Sequence, residues 1–383
     1  MPPRALAPEI PALLPPLAQI YDFRFVGEGA SNVVFEVVAG VGGMESNIFV
    51  GNLLRVPKAG TRAHSYIELQ EYWETVIKPL FEPEDLVHHQ LVRLGGEAIV
   101  SRLNDVLEKE DATRRPDFRG SRVAVAEYGM LVEDMRQKDP DDLTFEFKPK
   151  WLAQSPNAPP SATRCRNCAR EASKYHTNPN KPRPAGRILC PLDFLHCPTN
   201  PPVLSHVLAH LSSLSTAPSP QPPPAHQLAR LRRWLRTNTV LPRLRAAQLA
   251  NDQRGPLEAD AHDARFQLAM TLRDCTCFVR VPADPSAPVE AKLGDLDKKN
   301  WAVKLAYWQA TERRLIEGGY YEGKERASAS ASNSEEEEGG GVRTDCQLER
   351  AAFKRGGCIV GVGSRQSMTG MDVPACDREC PGN

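Results

Sequence analysis

YDFRFV-GEGASN-VVFEVV, residues 21–38, decides the fold class. Two runs of Phe, Val and Tyr, the residue types that prefer a pleated and half-buried backbone, flank a turn holding two glycines. The pattern predicts a strand, a tight turn and a second strand. IFVGNLLRV at 48–56 adds a third. Ile67, Leu69, Tyr72, Trp73 and Val76 give 65–80 the period of a helix. Residues 122–135 and 143–147 read as further strands.

Beyond this β-rich start, 154–162, 177–185 and 215–226 are rich in Pro, Ser and Asn and read as exposed loops. Helical patterns occupy 203–214, 228–248 and 265–272. Strands at 276–281 and 289–293 follow, then a helix at 301–317. The order implies an α/β (α+β) class with a bilobal, nucleotide-binding layout. Its expected divisions are a small β-rich lobe at 1–125, a larger mixed lobe at 126–322, and a tail at 323–383. The tail carries ASASASNSEEEEGGG and lacks the apolar residues to order itself. It is expected to be disordered, and its removal is expected to leave folding and activity unchanged.

The 383 residues carry 48 basic and 48 acidic side chains, so net charge points to no class of partner. The 34 prolines suit a core interrupted by loops. Residues 1–18 are apolar but broken by Glu9 and repeated prolines, a poor signal peptide. No run of about twenty apolar residues predicts a membrane span. Ten cysteines without a secretory signal read as reduced thiols or metal ligands.

The turn Gly27, Glu28, Gly29, Ala30, Ser31, Asn32 lets backbone N–H groups approach a phosphate closely. It is neither a Walker A loop nor a dinucleotide fingerprint, because a strand follows it rather than a helix. Arg55, one strand away, stands where kinases place a cation on the nucleotide phosphates. In EFKPK, strand alternation points Glu146, Lys148 and Lys150 to one face. Such a face is costly inside a protein unless it meets phosphates, a metal or a ribose; as a solvated edge it is ordinary. RDCT at 273–276 and GDLDKK at 294–299 are acidic turns flanking a β-hairpin, able to orient a hydroxyl and hold Mg²⁺ or simply to make turns. Basic runs at 164–187 and at Arg230, Arg232, Arg233, Arg236, Arg243 and Arg245 fit a polyanion or a solvated face. Aromatic residues there are too sparse for a nucleic-acid stacking platform.

GEGASN, LLRVPK, RPDFR, EFKPK, RDCT and DLDKK occur in that order. From about residue 21 to 316 the chain resembles the inositol-pentakisphosphate 2-kinases of fungal type. The resemblance implies a kinase-like bilobal fold, ATP and Mg²⁺ as cofactors, and transfer of the γ-phosphate to the 2-hydroxyl of inositol pentakisphosphate. It implies nucleotide contacts at residues 27–32, Arg55 and Glu146, with an adenine-contacting linker near Glu127 and Tyr128. Substrate phosphates would meet Arg119, Lys148, Lys150, Arg166, Lys299 and Tyr307. Asp274 would be the catalytic aspartate with Lys148 beside it, and Asp295 the Mg²⁺ ligand, with Asp274 a second candidate.

The chain departs from the family at Val303, where an arginine is usual, so Lys304 is taken to substitute. The Cys/His zinc site of plant members has no counterpart in place. Cys165, Cys168, His176 and Cys190 instead offer a separate candidate zinc set, weighed against unpaired thiols. Cys346, in the tail, is assigned no role. A monomer is expected, with no membrane and no specific nucleic-acid partner, resident in nucleus or cytoplasm as the family implies. The alternative is a non-catalytic protein that holds inositol phosphates or RNA with the same cations.

Overall fold

The structure, a computed structural model, describes residues 14, 17, 20–40, 48–62, 64–178, 189–214, 223–324 and 344–356. β1 (Tyr21–Glu28), β2 (Asn32–Ala39), β3 (Asn52–Pro57), β4 (His89–Arg93) and β5 (Tyr128–Glu133) form an antiparallel sheet in the order β1-β2-β3-β5-β4. α1 (Tyr66–Tyr72) opens with a capping box between Ser65 and Glu68. The helix expected over 65–80 widens into a π-helical turn at Trp73–Ile77 and then tightens into a 3-10 turn at Lys78–Leu80, where Pro79 closes it. Residues 97–110, which no sequence pattern above assigned, form α2 (Glu97–Glu110). Its Ile99, Leu103 and Leu107, four residues apart on one face, pack on Val33, Phe35, Val37, Leu54 and Val56 of the sheet.

A second antiparallel sheet, β6 (Leu143–Phe147), β7 (Thr276–Val281) and β8 (Glu290–Gly294), has its own core. Helices α3 (Arg166–Thr177), α4 (Asp193–His196), α5 (Pro201–Ser213), α6 (Ala225–Thr237), α7 (Val240–Asn251) and α8 (Ala264–Leu272) lie between β6 and β7. α9 (Trp301–Glu317) and α10 (Gln347–Gly356) follow. Phe145, Val279 and Val281 of the sheet are buried with Leu208, Leu211, Leu231, Leu235, Leu241, Leu244 and Leu272. The single helix expected over 228–248 is two, because the Asn238 side chain accepts the Leu241 N–H (3.1 Å) and starts a new one.

Two expectations are corrected. β5 lies beyond residue 125 yet pairs with β3 and β4, so the first sheet runs on to Glu133. The tail is not wholly without structure, since Cys346 is fully buried beside Cys165 and α10 follows it. Four converging cysteines supply burial that apolar patterning does not reveal. Residues 325–343 and 357–383 lie outside the described residues.

Glu28 is held in the first sheet's edge by Arg114 (2.8 Å to each carboxylate oxygen) and Lys58 (2.6 Å), all three side chains at most 3% exposed. Removing one partner of a buried pair leaves an under-compensated charge. Arg114→Met is therefore expected to lower unfolding free energy by roughly 3 kcal/mol in chemical denaturation. A loss below about 1 kcal/mol, the range of exposed pairs, would contradict this account.

Candidate active site

The antiparallel order of the second sheet puts the end of β6, the start of β7 and the end of β8 at one edge. Phe147 pairs with Cys277, and Thr276 with Gly294. Lys148, Asp274 and Asp295, each one or two residues beyond those ends, are thereby gathered. Lys148 Nζ donates to the Asp274 carbonyl (2.9 Å), Thr276 Oγ1 (3.1 Å) and Asp295 Oδ2 (3.2 Å). Thr276 Oγ1 also donates to Asp295 Oδ2 (2.9 Å). Lys150 lies past the strand with φ 56°, and its Nζ still reaches Asp274 Oδ1 (3.2 Å). Lys299 Nζ holds the other oxygen at 2.9 Å.

Lys150 and Asp295 (φ 57°) are the two non-glycine residues with left-handed backbone among the described residues. That conformation is disfavoured for a side chain with a Cβ and concentrates at working sites. Burial alone would raise the Asp274 carboxyl. The charge and hydrogen bond of Lys299, then Lys150 and Lys148, bring it down to about 2. Burial lowers the Lys150 ammonium, and Asp274 partly restores it.

Two cavities open beside this edge, Asp295 lining one and Asp274 the other. The larger, about 1000 Å³, opens between the sheets, with Val26, Val34, Leu53 and Met130 on one side and Phe145 and Phe278 on the other. Gly27, Glu28, Gly29, Arg55, Glu146 and Asp295 also line it. Ala30, Ser31 and Asn32 are not among its walls. The Asn32 amide sits between the Tyr66 hydroxyl (2.9 Å) and the Arg55 guanidinium (2.7 Å). Arg55 forms a bidentate pair with Asp297, a residue sequence reasoning did not single out. Burial would raise the Asp297 carboxyl, but Arg55 and then Lys299 bring it below the usual range. Burial raises Glu146, and the nearby Asp295 charge adds to the shift.

Glu127, which pairs with Arg93 (3.7 Å), and Tyr128, the first residue of β5, are not among the larger cavity's walls. The chain leaving the other end of β5, residues 133–137, lines the cavity instead. The apolar run through 122–135 hid where the strand stops.

The smaller cavity, about 320 Å³, is lined by Lys150, Arg166, Arg170, Arg273, Lys299 and Lys304, with Asp274 its one lining carboxylate. Arg166 is held by buried Glu312 (2.6 Å) and Arg273 by Asp252 (2.5 Å), and both guanidinium groups lie over the Trp151 ring. Burial lowers Arg273 to about 10. Arg170 donates to the Tyr307 hydroxyl (3.1 Å). Arg170 and Arg273 had been seen only as members of a basic run and a turn. Arg119 is not brought here; its guanidinium donates to the Ala112 (2.9 Å) and Arg114 (3.2 Å) carbonyls, and it lines neither cavity. The basic residues of α6 and α7 behave as a solvated face. Arg230 caps carbonyls at 282–287, Arg243 pairs with Glu82 and Asp85, and Arg232, Arg233, Arg236 and Arg245 are exposed. His176 bonds the Tyr320 hydroxyl (2.7 Å), so it is not grouped with Cys165, Cys168 and Cys190; Cys346 is.

Because the Asp274 carboxyl is depressed in the folded chain, its ion pairs stabilise the fold above the ordinary carboxylate range. That stabilisation is lost as pH falls toward about 2. Lys299→Met is expected to move the Asp274 titration upward, read by carbon NMR of the side-chain carboxylate. An unmoved titration would show that Lys299 does not hold this group.

Residues 25–314 match the family described as inositol-pentakisphosphate 2-kinase. The inositol-pentakisphosphate 2-kinase of Yarrowia lipolytica is 27% identical over 334 residues, covering 82% of this chain and 96% of the relative. That of Kluyveromyces lactis is 30% identical over 189 residues, covering 49% of this chain and 53% of the relative. With the match spanning both sheets and both cavities, this chain belongs to the inositol-pentakisphosphate 2-kinase family.

Proposed function

We propose that the chain transfers the γ-phosphate of ATP to the 2-hydroxyl of inositol 1,3,4,5,6-pentakisphosphate, giving the hexakisphosphate. The observation that carries this reading is Lys148, whose Nζ bridges Asp274 at the basic cavity and Asp295 at the larger one. The larger cavity offers apolar walls for a base, glycines and Arg55 for phosphates. The smaller offers cations to a polyanion. Binding alone needs no carboxylates beside phosphates, which weighs against a passive polyanion carrier.

Asp274 orients the acceptor hydroxyl and takes its proton as the new oxygen–phosphorus bond forms. The bond from the γ-phosphorus to the bridging oxygen breaks, and ADP leaves with the electron pair. In a loose transition state the proton moves late, so a carboxylate this acidic suffices. Substrate phosphates compete for Lys150 and Lys299, the groups that hold Asp274 acidic, and so raise its basicity as they bind. Lys148 stabilises charge on the moving phosphoryl group. Glu146 and Asp295 face one cavity and repel each other, which suits a cation; Mg²⁺ held by Asp295 would neutralise ATP phosphate charge.

Incubation with ATP, Mg²⁺ and inositol pentakisphosphate is expected to yield hexakisphosphate on anion-exchange chromatography. Tight substrate binding without product would favour the carrier reading. Asp274→Asn is expected to lower kcat by roughly 10²–10⁴-fold with ATP affinity kept. Lys148→Ala should chiefly lower kcat, whereas Lys150→Ala should chiefly raise KM. Wild-type kinetics in both lysine variants would place the substrate site elsewhere.

A further inference from the structure

Three distant stretches of chain bring four cysteines to one point. Cys165 caps α3 and Cys168 lies in its first turn. Cys190 precedes α4, and Cys346 precedes α10. Their sulfurs all lie within 4.8 Å of one another, with Cys165 and Cys190 3.7 Å apart and Cys190 and Cys346 3.9 Å apart. All four side chains are buried, none more than 3% exposed. Sulfurs in a disulfide stand about 2.05 Å apart, and these cysteines are free thiols. A zinc–sulfur bond of about 2.3 Å puts tetrahedral sulfurs roughly 3.8 Å apart, close to the Cys165–Cys190 and Cys190–Cys346 separations.

The surroundings suit a metal better than a small thiol core. Leu192 and Leu348 are the other apolar members of this cluster, too few to hold a separate segment in place by burial. α10 is also too short to be stable by itself. The Cys165 N–H donates to Cys346 Sγ (3.1 Å), the kind of bond that steadies a metal-bound thiolate. Ion pairs Arg164–Glu349 and Arg350–Asp193 cross between the same stretches of chain that bring the cysteines together.

We propose that Cys165, Cys168, Cys190 and Cys346 form a closed structural zinc site that fastens residues 344–356 to the catalytic half of the chain. The site has no open position for substrate, and its effect on catalysis is indirect. Cys165 and Cys168 enclose Arg166, and the same first turn of α3 leads to Asn167 and Arg170, all on the wall of the basic cavity. The metal thus sets where these groups stand, making the cysteines positioning residues.

The test uses the full chain, purified under reducing conditions with zinc supplied. Elemental analysis is expected to find about one zinc per chain, retained through dialysis against a weak chelator. Co²⁺ exchanged into the protein should show intense thiolate charge-transfer and tetrahedral d–d absorption. Cys346→Ser should lose that spectrum and raise KM for inositol pentakisphosphate more than it lowers kcat. His176→Ala should keep both metal and spectrum. Absence of bound metal and of a tetrahedral Co²⁺ spectrum in the wild-type chain would overturn the proposal. So would a Cys165–Cys190 disulfide in the untreated protein, or full metal retention by Cys346→Ser. If that variant does not fold, metal content and the Co²⁺ spectrum of the wild-type chain still decide.

Discussion

Everything in the active site depends on how two carboxylates are held among cations at one place. Asp274 and Asp295 stand at one edge of the second sheet, and Lys148 lies between them, bonded to the carbonyl of one and the carboxylate of the other. Lys150 and Lys299 take the two oxygens of Asp274. Without these cations the aspartates would repel incoming phosphate. With them, the carboxylates are present but masked, and ligand phosphates can exchange for them at the same ammonium groups.

The same logic joins the two sheets. Arg55 on β3 reaches Asp297 beyond β8, Lys292 on β8 meets Glu133 at the end of β5 (2.6 and 2.7 Å), and the Val87 N–H donates to the Leu293 carbonyl (2.9 Å). Beside these polar ties, Trp73, Ile77, Phe81 and Leu86 are buried in the same core as the second sheet. Such ties are sensitive to ligand charge in a way that a continuous apolar interface is not. A nucleotide phosphate approaching Arg55 would compete directly with Asp297.

Much of this was legible in the chain. Strands 143–147 and 276–281 fall where their apolar runs end; Glu146 lines the larger cavity, and Lys148, one residue past the strand, bonds Asp295 on that cavity's wall. Asp274 and Asp295 were readable because short acidic turns flank a hairpin, whose pairing must bring its two ends together. What stayed hidden depended on tertiary distance or backbone detail. The stopping point of β5 is blurred by continuing apolar residues; Glu127 and Tyr128, assigned as linker through resemblance, are not among the cavity's walls, whereas residues 133–137 are. Lys150 needs a left-handed backbone to reach Asp274, which alternation cannot foresee. Cys346 is 156 residues from Cys190, so no local spacing links them. Arg119, assigned through resemblance alone, is turned to carbonyls of its own loop.

Lys148 bonds one aspartate on the wall of each cavity, an arrangement that suits a donor and an acceptor bound together, with phosphate passing directly between them. The stereochemical course at phosphorus tests this most directly, using ATP made chiral at the γ-phosphate with oxygen isotopes or sulfur. A single in-line transfer across Lys148 predicts inversion of configuration in the hexakisphosphate product. Retention would require a phosphorylated enzyme intermediate and would contradict the account.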